Sequence, residues 1–288
     1  MTITTFREAL SALVPSPDRD ESEYLPAFRS IADLVLNRVT LNIAGHPHRF
    51  TEVEFYFNGA RHGDTFTHGD DMQRELGRWY FHRTAGEYRG GTYKGLDIAF
   101  GRSDAPAGIL IRGVERLDGS NTLLDGPCMC VDHILSLTAQ PSIASLVATF
   151  DRSTDAPESG TSPLFITVDA TPRASQTVYS CPRVGLSLKR GASAARVRYL
   201  SAPYRFLTEP ARIKKGRLNL VVGLHAQGVS AAEIAKLTGS ASSQVSRYIE
   251  QYESGKALDP QTFRRDLSSE ETCQVFAACT HATTAKKA

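Results

Sequence analysis

Residues 39–57 read VTLNI, AGHPH, RFTEVEFYF: two runs in which apolar and polar residues alternate, separated by a turn. Alternation with period two marks a strand with two distinct faces, and Gly45 and Pro47 supply turn chemistry between the runs. An antiparallel hairpin is therefore the seed of the fold. Further strand-like runs follow at 78–83 (RWYFHR), 95–101 (GLDIAFG), 108–117 (GILIRGVERL), 162–170 (SPLFITVDA) and 195–207 (ARVRYLSAPYRFL). Helical spacing of Phe28, Ile31, Leu34 and Val35 predicts a helix over 25–36, and Pro127 at a first helical position predicts another in DGPCMCVDHILSL. Strands and helices do not alternate as βαβ units. The expected class is α+β: a mixed, mainly antiparallel, curved sheet with flanking helices.

Residues 217–253 change character. RLNLVVGLHAQ ends at Gly228, SAAEIAKLTG opens with Ser230 three residues before Glu233 and ends at Gly239, and SSQVSRYIEQYE follows. These are stop and start signals of three short helices, with Ile234, Ala235, Leu237, Val245 and Ile249 spaced to share a small core. The expected division is a flexible arm (1–22) with one helical turn at its start, a sheet domain (23–212), a small all-α module (213–255) and a largely mobile tail (256–288) holding one capped helix near Ser268 to Cys279, with a polar surface loop over 151–162. At 288 residues, 41% hydrophobic and 22% charged, the chain has the composition of a globular protein.

The net charge of +2 says little about partners, yet between Arg183 and Arg217 stand ten Lys or Arg and one acid, Glu209. Such a run suits a phosphate-facing surface, and equally a solvated basic face. No apolar run approaches the roughly 18 residues of a membrane span, and the amino terminus lacks a signal-peptide pattern; a cytoplasmic, nucleoid-associated or nuclear location is expected. The five cysteines form no disulfide or zinc-finger spacing, and His46-Pro47-His48 is read as turn rather than as a metal site.

On the strand FTEVEFY, Thr51, Val53 and Phe55 share one face, while Glu52, Glu54 and Tyr56 share the other. Alternation alone makes those acids a wet strand edge. Close by in sequence lie NGARHGDTFTHGDD and RWYFHR, rich in His and aromatic residues, which with one carboxylate could hold a flat base and activate water beside it.

These residues resemble the alkyladenine (3-methyladenine) DNA glycosylases. The family's acid-X-acid-X-Tyr strand is matched by Glu52-Val53-Glu54-Phe55-Tyr56, its arginine strand by GILIRGVERLDG with Arg112 and Glu115, its Gly-Pro helix start by Gly126-Pro127, and its closing signature by PRVG (182–185) and PYRF (203–206). The matches keep order over about residues 25–207. The resemblance implies that Glu54 is the general base activating water against the sugar C1′, and that Tyr56 stacks on the flipped base. It implies that Arg112 orients the carboxylate, and that His68, with His62 as its competitor, and His82 with Tyr80 complete the base pocket; Glu52 is structural. No lysine occupies the Glu54 position, so hydrolysis without metal or cofactor is implied, leaving an abasic site. Where the family carries an Asn, this chain has Gly101, and His82 replaces a tyrosine. A roomier, more polar pocket follows, suited to an alkylated base or to a bulkier, hypermodified one such as those of viral DNA, with repair or antiviral defence as the setting. In the long segment 83–94, Tyr93 is the candidate duplex wedge, with Tyr88 and Arg89 behind it.

IAKLTGSASSQVSRYI resembles the helix-turn-helix of DNA-binding regulators and recombinases. That resemblance implies a DNA-facing set of Ser242, Ser243, Gln244, Ser246 and Arg247, while Arg183, Lys189 and Arg190 of the basic run would follow the phosphate backbone of double-stranded DNA. Two alternatives stand beside an enzyme: a non-catalytic regulator that senses a ligand or modified base, and an RNA-acting or scaffolding protein.

Overall fold

A computed structural model describes residues 5–16, 18–158, 162–171 and 173–284. The chain divides into two compact units, Met1–Gly63 with Thr67–Val178, and Asp64–Phe66 with Tyr179–Ala288.

The first unit opens with α1 (Phe6–Leu13) and α2 (Tyr24–Asn37). The arm expected to be loose holds a docked helix. Thr5 and Glu8 close a reciprocal capping box that satisfies two orphan N–H groups, and Phe6 and Leu10 are buried. Then come β1 (Val39–Ile43), β2 (His46–Gly59), β3 (His62–Gly63), β4 (Arg78–Phe81), β5 (Arg83–Thr84) and β6 (Glu87–Tyr88). After these follow β7 (Leu96–Ala99), β8 (Ala107–Arg116), β9 (Leu123–Asp125), α3 (Pro127–Leu137), α4 (Ile143–Val147) and β10 (Leu164–Val168). The main sheet runs β10-β1-β2-β8-β7-β4 with every neighbouring pair antiparallel, so the fold is α+β with a large antiparallel sheet and flanking helices. The β1–β2 turn is tighter than AGHPH suggests. Ala44 and Gly45 both take positive φ (47° and 80°), the two-residue geometry matching strand twist, and His46-Pro47-His48 already belongs to β2.

Phe28 of α2 stacks on Phe55 with centroids 4.9 Å apart, and its ring also meets Phe57 and Phe100. That face of β2 is consequently core, which leaves the Glu52, Glu54, Tyr56 face turned away from α2.

The second unit contains β11 (Tyr179–Cys181), α5 (Ala194–Leu200), β12 (Arg205–Leu207), α6 (Arg217–Ala226), α7 (Ala231–Thr238), α8 (Ser242–Gly255) and α9 (Ser269–Thr284). Residues 194–200, expected as strand, are helical because Ser193 caps them, accepting from the Arg196 N–H. Ile234 and Val245 lie in one core with Leu220 and Leu224, and Ala235, Leu237 and Ile249 pack against it. The division after Val178 precedes the expected boundary at 212/213 because residues 179–212 contribute Cys181, Leu188, Leu200 and Leu207 to the cores of the helical unit.

The capped helix expected near Ser268 to Cys279 in the tail forms as α9, longer than expected and docked on the helical unit. Ser268 and Glu271 cap α9 reciprocally, and Cys273, Phe276 and Cys279 are buried in a core with Val222 and Tyr252. A side chain at Gly255 would overlap the Gln274 backbone, so α8 and α9 cross at a point where only glycine fits.

Candidate active site

β2 and β8 do not pair uniformly. Phe50 faces Val114, Glu52 faces Gly113 and Val53 faces Ile111, so Thr51 and Arg112 are each skipped by the ladder. Bulges of this kind re-aim side chains. The Arg112 carbonyl turns to accept from the Gly126 N–H at 2.7 Å, which ties the bulge to the Gly126-Pro127 start of α3.

At the bulge, Arg112 Nε donates to Glu52 Oε1 at 2.6 Å and lies 3.3 Å from Glu54 Oε1. The Tyr56 hydroxyl donates to Glu54 Oε2 at 2.8 Å. Both oxygens of Glu54 therefore face a donor group, and its rotamer is held from two sides. Glu52 and Glu54 are fully buried and Arg112 is 5% exposed. Burial works against the Arg112 charge, but the Glu54 and Glu52 carboxylates more than offset it and raise the guanidinium pKa. Glu52 takes the shorter bond to Arg112, which fits a positioning part, and Tyr56 steadies Glu54 as well as offering its ring.

The pairing register extends this face across four strands. Glu54 is opposite Leu110, Leu110 opposite Asp97, and Asp97 opposite Tyr80. Directly opposed residues share a face, so Glu54 and Asp97 stand two strands, about 10 Å, apart. His82 follows Tyr80 on the same side and its Nε2 lies 2.7 Å from Asp97 Oδ1. Gln73 donates to the other Asp97 oxygen at 3.2 Å. The Tyr80 hydroxyl lies 3.4 Å from His68 Nδ1, and the His68 and His82 rings meet edge-on at 4.4 Å. The His68 side chain is exposed, yet the protein around it and the neighbouring His82 hold its pKa below the usual value, to about 4. Burial, with Asp70 and Asp97 nearby, raises that of Tyr80.

Of the two competing histidines, His62 is enclosed by Tyr24, Phe28 and Phe57 and its Nδ1 meets the Phe57 carbonyl. It belongs to the α2-facing core, whereas His68 joins Tyr80 and His82. Asp97 and Gln73 were not among the expected site residues. Asp97, the one polar side chain in an apolar strand, was the available signal; the 24-residue separation of its Gln73 partner left no local trace.

Residues 83–94 form the β5–β6 hairpin and a 3-10 turn, Gly91–Tyr93. Tyr93 is 77% exposed, and Arg89 Nε donates to Thr84 Oγ1 at the hairpin. In α8, Ser242, Ser243, Ser246 and Arg247 are exposed, while Gln244 donates to the Tyr248 hydroxyl. Lys189 is exposed and paired with Asp266, and Arg190 is exposed.

Arg183 corrects the phosphate-facing reading. It is fully buried, donates to Asp64 Oδ2 at 2.6 Å and to the Tyr199 carbonyl at 3.0 Å, and lies over the rings of Phe66 and Tyr204. Arg205 is likewise buried and serves the Lys215 and Gly216 carbonyls, and Arg196 serves those of Ser187 and Gly191. Much of the basic run is therefore internal scaffolding: a planar guanidinium can bind several carbonyls of an irregular loop at once.

One histidine pair outside this face has a pH consequence. His48 and His133 meet Nε2 to Nε2 at 2.9 Å, and burial lowers the His48 pKa to about 4 and that of His133 below its usual value. The unfolded chain takes up a His48 proton near its ordinary pKa of about 6.5, which the folded chain refuses until about pH 4. Stability is thus complete above that window and falls through it as pH drops, by on the order of 3 kcal/mol at most for His48. Urea unfolding at successive pH values checks this, with His48→Gln expected to flatten the slope.

Among the described residues no helix is long and apolar enough to cross a membrane. No family model matches the chain. It is 31% identical to "Uncharacterized protein L759" of Acanthamoeba polyphaga mimivirus over 207 residues, which cover 67% of this chain and 91% of the viral protein. Similarity of that extent spans nearly the whole viral protein, and the chain belongs to the family of mimivirus L759.

Proposed function

We propose that the protein is a monofunctional DNA glycosylase that hydrolyses the N-glycosidic bond of a flipped-out modified base in double-stranded DNA. The observation that carries this reading is the clamp at the bulge. Arg112 lies against Glu52 and Glu54, Tyr56 holds the second Glu54 oxygen, and the same sheet face continues to Asp97, His82 and Tyr80. Extruding a base costs a few kcal/mol of stacking and pairing, offset by contact with aromatic rings. Tyr56 and His68 provide accessible rings, backed by the buried rings of Tyr80 and His82 against His68. As the glycosidic bond breaks, positive charge develops on the sugar. The Glu54 carboxylate would stabilise that charge and take the proton of the attacking water, and Arg112 keeps it aimed.

In this reading the first unit has an alkyladenine-glycosylase-like fold, and α7, the turn at Gly239 and α8 form a helix-turn-helix. Support for the latter comes from Ser230 capping α7, from Gly239 in the left-handed conformation, and from the polar exposed start of α8. Mass spectrometry of bases released from alkylated, deaminated and hypermodified DNAs tests the activity: release of a modified base by the wild-type protein is expected, and release from none of them removes the reading.

The helix-turn-helix makes its own prediction. Arg247→Ala should weaken duplex binding and reduce the dependence of log affinity on log salt by about one unit of slope. Fluorescence anisotropy at several salt concentrations measures it, and an unchanged slope takes α8 off the DNA.

A further inference from the structure

The start of α8 is where a helix-turn-helix meets base edges, and its side chains are poorly suited to telling bases apart. Ala241, Ser242, Ser243 and Ser246 are exposed and short. A serine hydroxyl both donates and accepts, so any base edge satisfies it, and an alanine methyl offers no more than contact with a thymine methyl. Strong discrimination comes from longer groups: Arg or Lys with guanine, Asn or Gln with adenine, Asp or Glu with cytosine. Residues 241–248 contain two side chains of that kind, Gln244 and Arg247.

Both are engaged by one tyrosine. Gln244 is half-buried and its Nε2 donates to the Tyr248 hydroxyl at 3.0 Å, while the Arg247 guanidinium lies over the Tyr248 ring, 5.8 Å from its centroid. Tyr248 cannot follow them toward a base. Its ring packs against two cores of the helical unit, one containing Val222 and Tyr252 and the other Ile234 and Val245. The tyrosine is thus a fixed anchor, and each of the two longer side chains must give up its partner before it reaches a groove edge. What α7 and α8 present freely is charge: Arg247 is exposed, as is Lys236. A cation meets the phosphates of every sequence alike.

We propose that the helix-turn-helix is a sequence-indifferent tether, which holds duplex DNA by its phosphates and reads no operator. The inference deepens the reading of α7 and α8 given above and rests on it. A base to be excised occurs in any sequence, and a module that sought one operator would keep the enzyme away from most of its targets. A module that accepts every sequence instead holds the rest of the chain at high effective concentration over the nucleotides nearby. A transcription regulator has the opposite need, because it must prefer a few sites over a genome of competitors.

The test is binding-site selection with the full chain, from a pool of unmodified duplexes with a randomised core, followed by fluorescence anisotropy on individual members. No consensus should emerge. Affinities for unrelated duplexes of one length should agree within about tenfold, against the roughly 10³–10⁷-fold preference of sequence-specific proteins. Gln244→Ala should leave every affinity within about twofold, and Arg247→Ala should weaken all sequences by one common factor. Arg247→Lys should restore most of that loss, because a phosphate contact asks for charge rather than for the guanidinium fork. A consensus bound more than about tenfold better than the pool overturns the tether and leaves the helix-turn-helix in place; so does a loss in either alanine variant that depends on sequence. A protein that binds no duplex, that prefers single strands or RNA, or whose duplex binding is undiminished by Arg247→Ala overturns the helix-turn-helix reading itself, and the tether with it.

Discussion

Glu54→Gln should lower base release by about 10²–10⁴-fold, the usual contribution of a positioned general base, while duplex affinity stays within a factor of about two. The variant is a clean probe because the amide fits the pocket. Its oxygen can face Arg112 Nε, and its NH2 can donate to the Tyr56 hydroxyl oxygen. Thermal stability should hold or rise, since two carboxylates share one guanidinium here and the substitution removes one of two fully buried negative charges. The combination of lost turnover, intact binding and unimpaired melting separates chemistry from structure. A fall in melting temperature matching the fall in activity would make Glu54 a structural acid, and normal turnover would remove it as the base.

What the sequence made legible followed periodicity. The β2 hairpin, α2 and the three helices α6 to α8 were all read from spacing and caps, and Ile234 and Val245 emerged as core. Faces were readable as well: alternation put Glu52, Glu54 and Tyr56 together, as the structure does. Alternation could not reveal the skipped residues Thr51 and Arg112, because a bulge is a property of pairing between strands sixty residues apart. Nor could composition tell an internal arginine from a phosphate-binding one. Arg183 and Arg205 look like their neighbours in a basic run, and only the Asp64 carboxylate and the Lys215 and Gly216 carbonyls identify them as scaffolding. In the tail the Ser268–Glu271 cap announces a helix, but Cys273, Phe276 and Cys279 are too sparse among Thr, Ala and Gln to declare a buried face without α8 opposite them. His68 and His62 differ by environment alone, which six residues of loop sequence do not encode.

Arg112→Met should be the most destabilising single change on the candidate face. It removes the cation from between two fully buried carboxylates, and breaking a buried pair from one side typically costs about 3–5 kcal/mol. Methionine fills much of the volume, so the loss reports charge rather than a cavity. Adding Glu52→Gln should return a large part of that stability, because Glu52 makes the shorter contact and the substitution removes one of the two buried charges that Arg112 offsets. Arg112→Lys should recover less, since a primary ammonium must satisfy from a single point both carboxylates that now flank one side of a planar group. A double-mutant cycle over Arg112 and Glu52 in urea checks this, with a coupling of about 1–3 kcal/mol expected for residues in direct contact. Additive losses would mean that the triad is held by its surroundings. They would also weaken the case that Arg112 aims Glu54, since a cation indifferent to Glu52 at 2.6 Å would have still less hold on Glu54 at 3.3 Å.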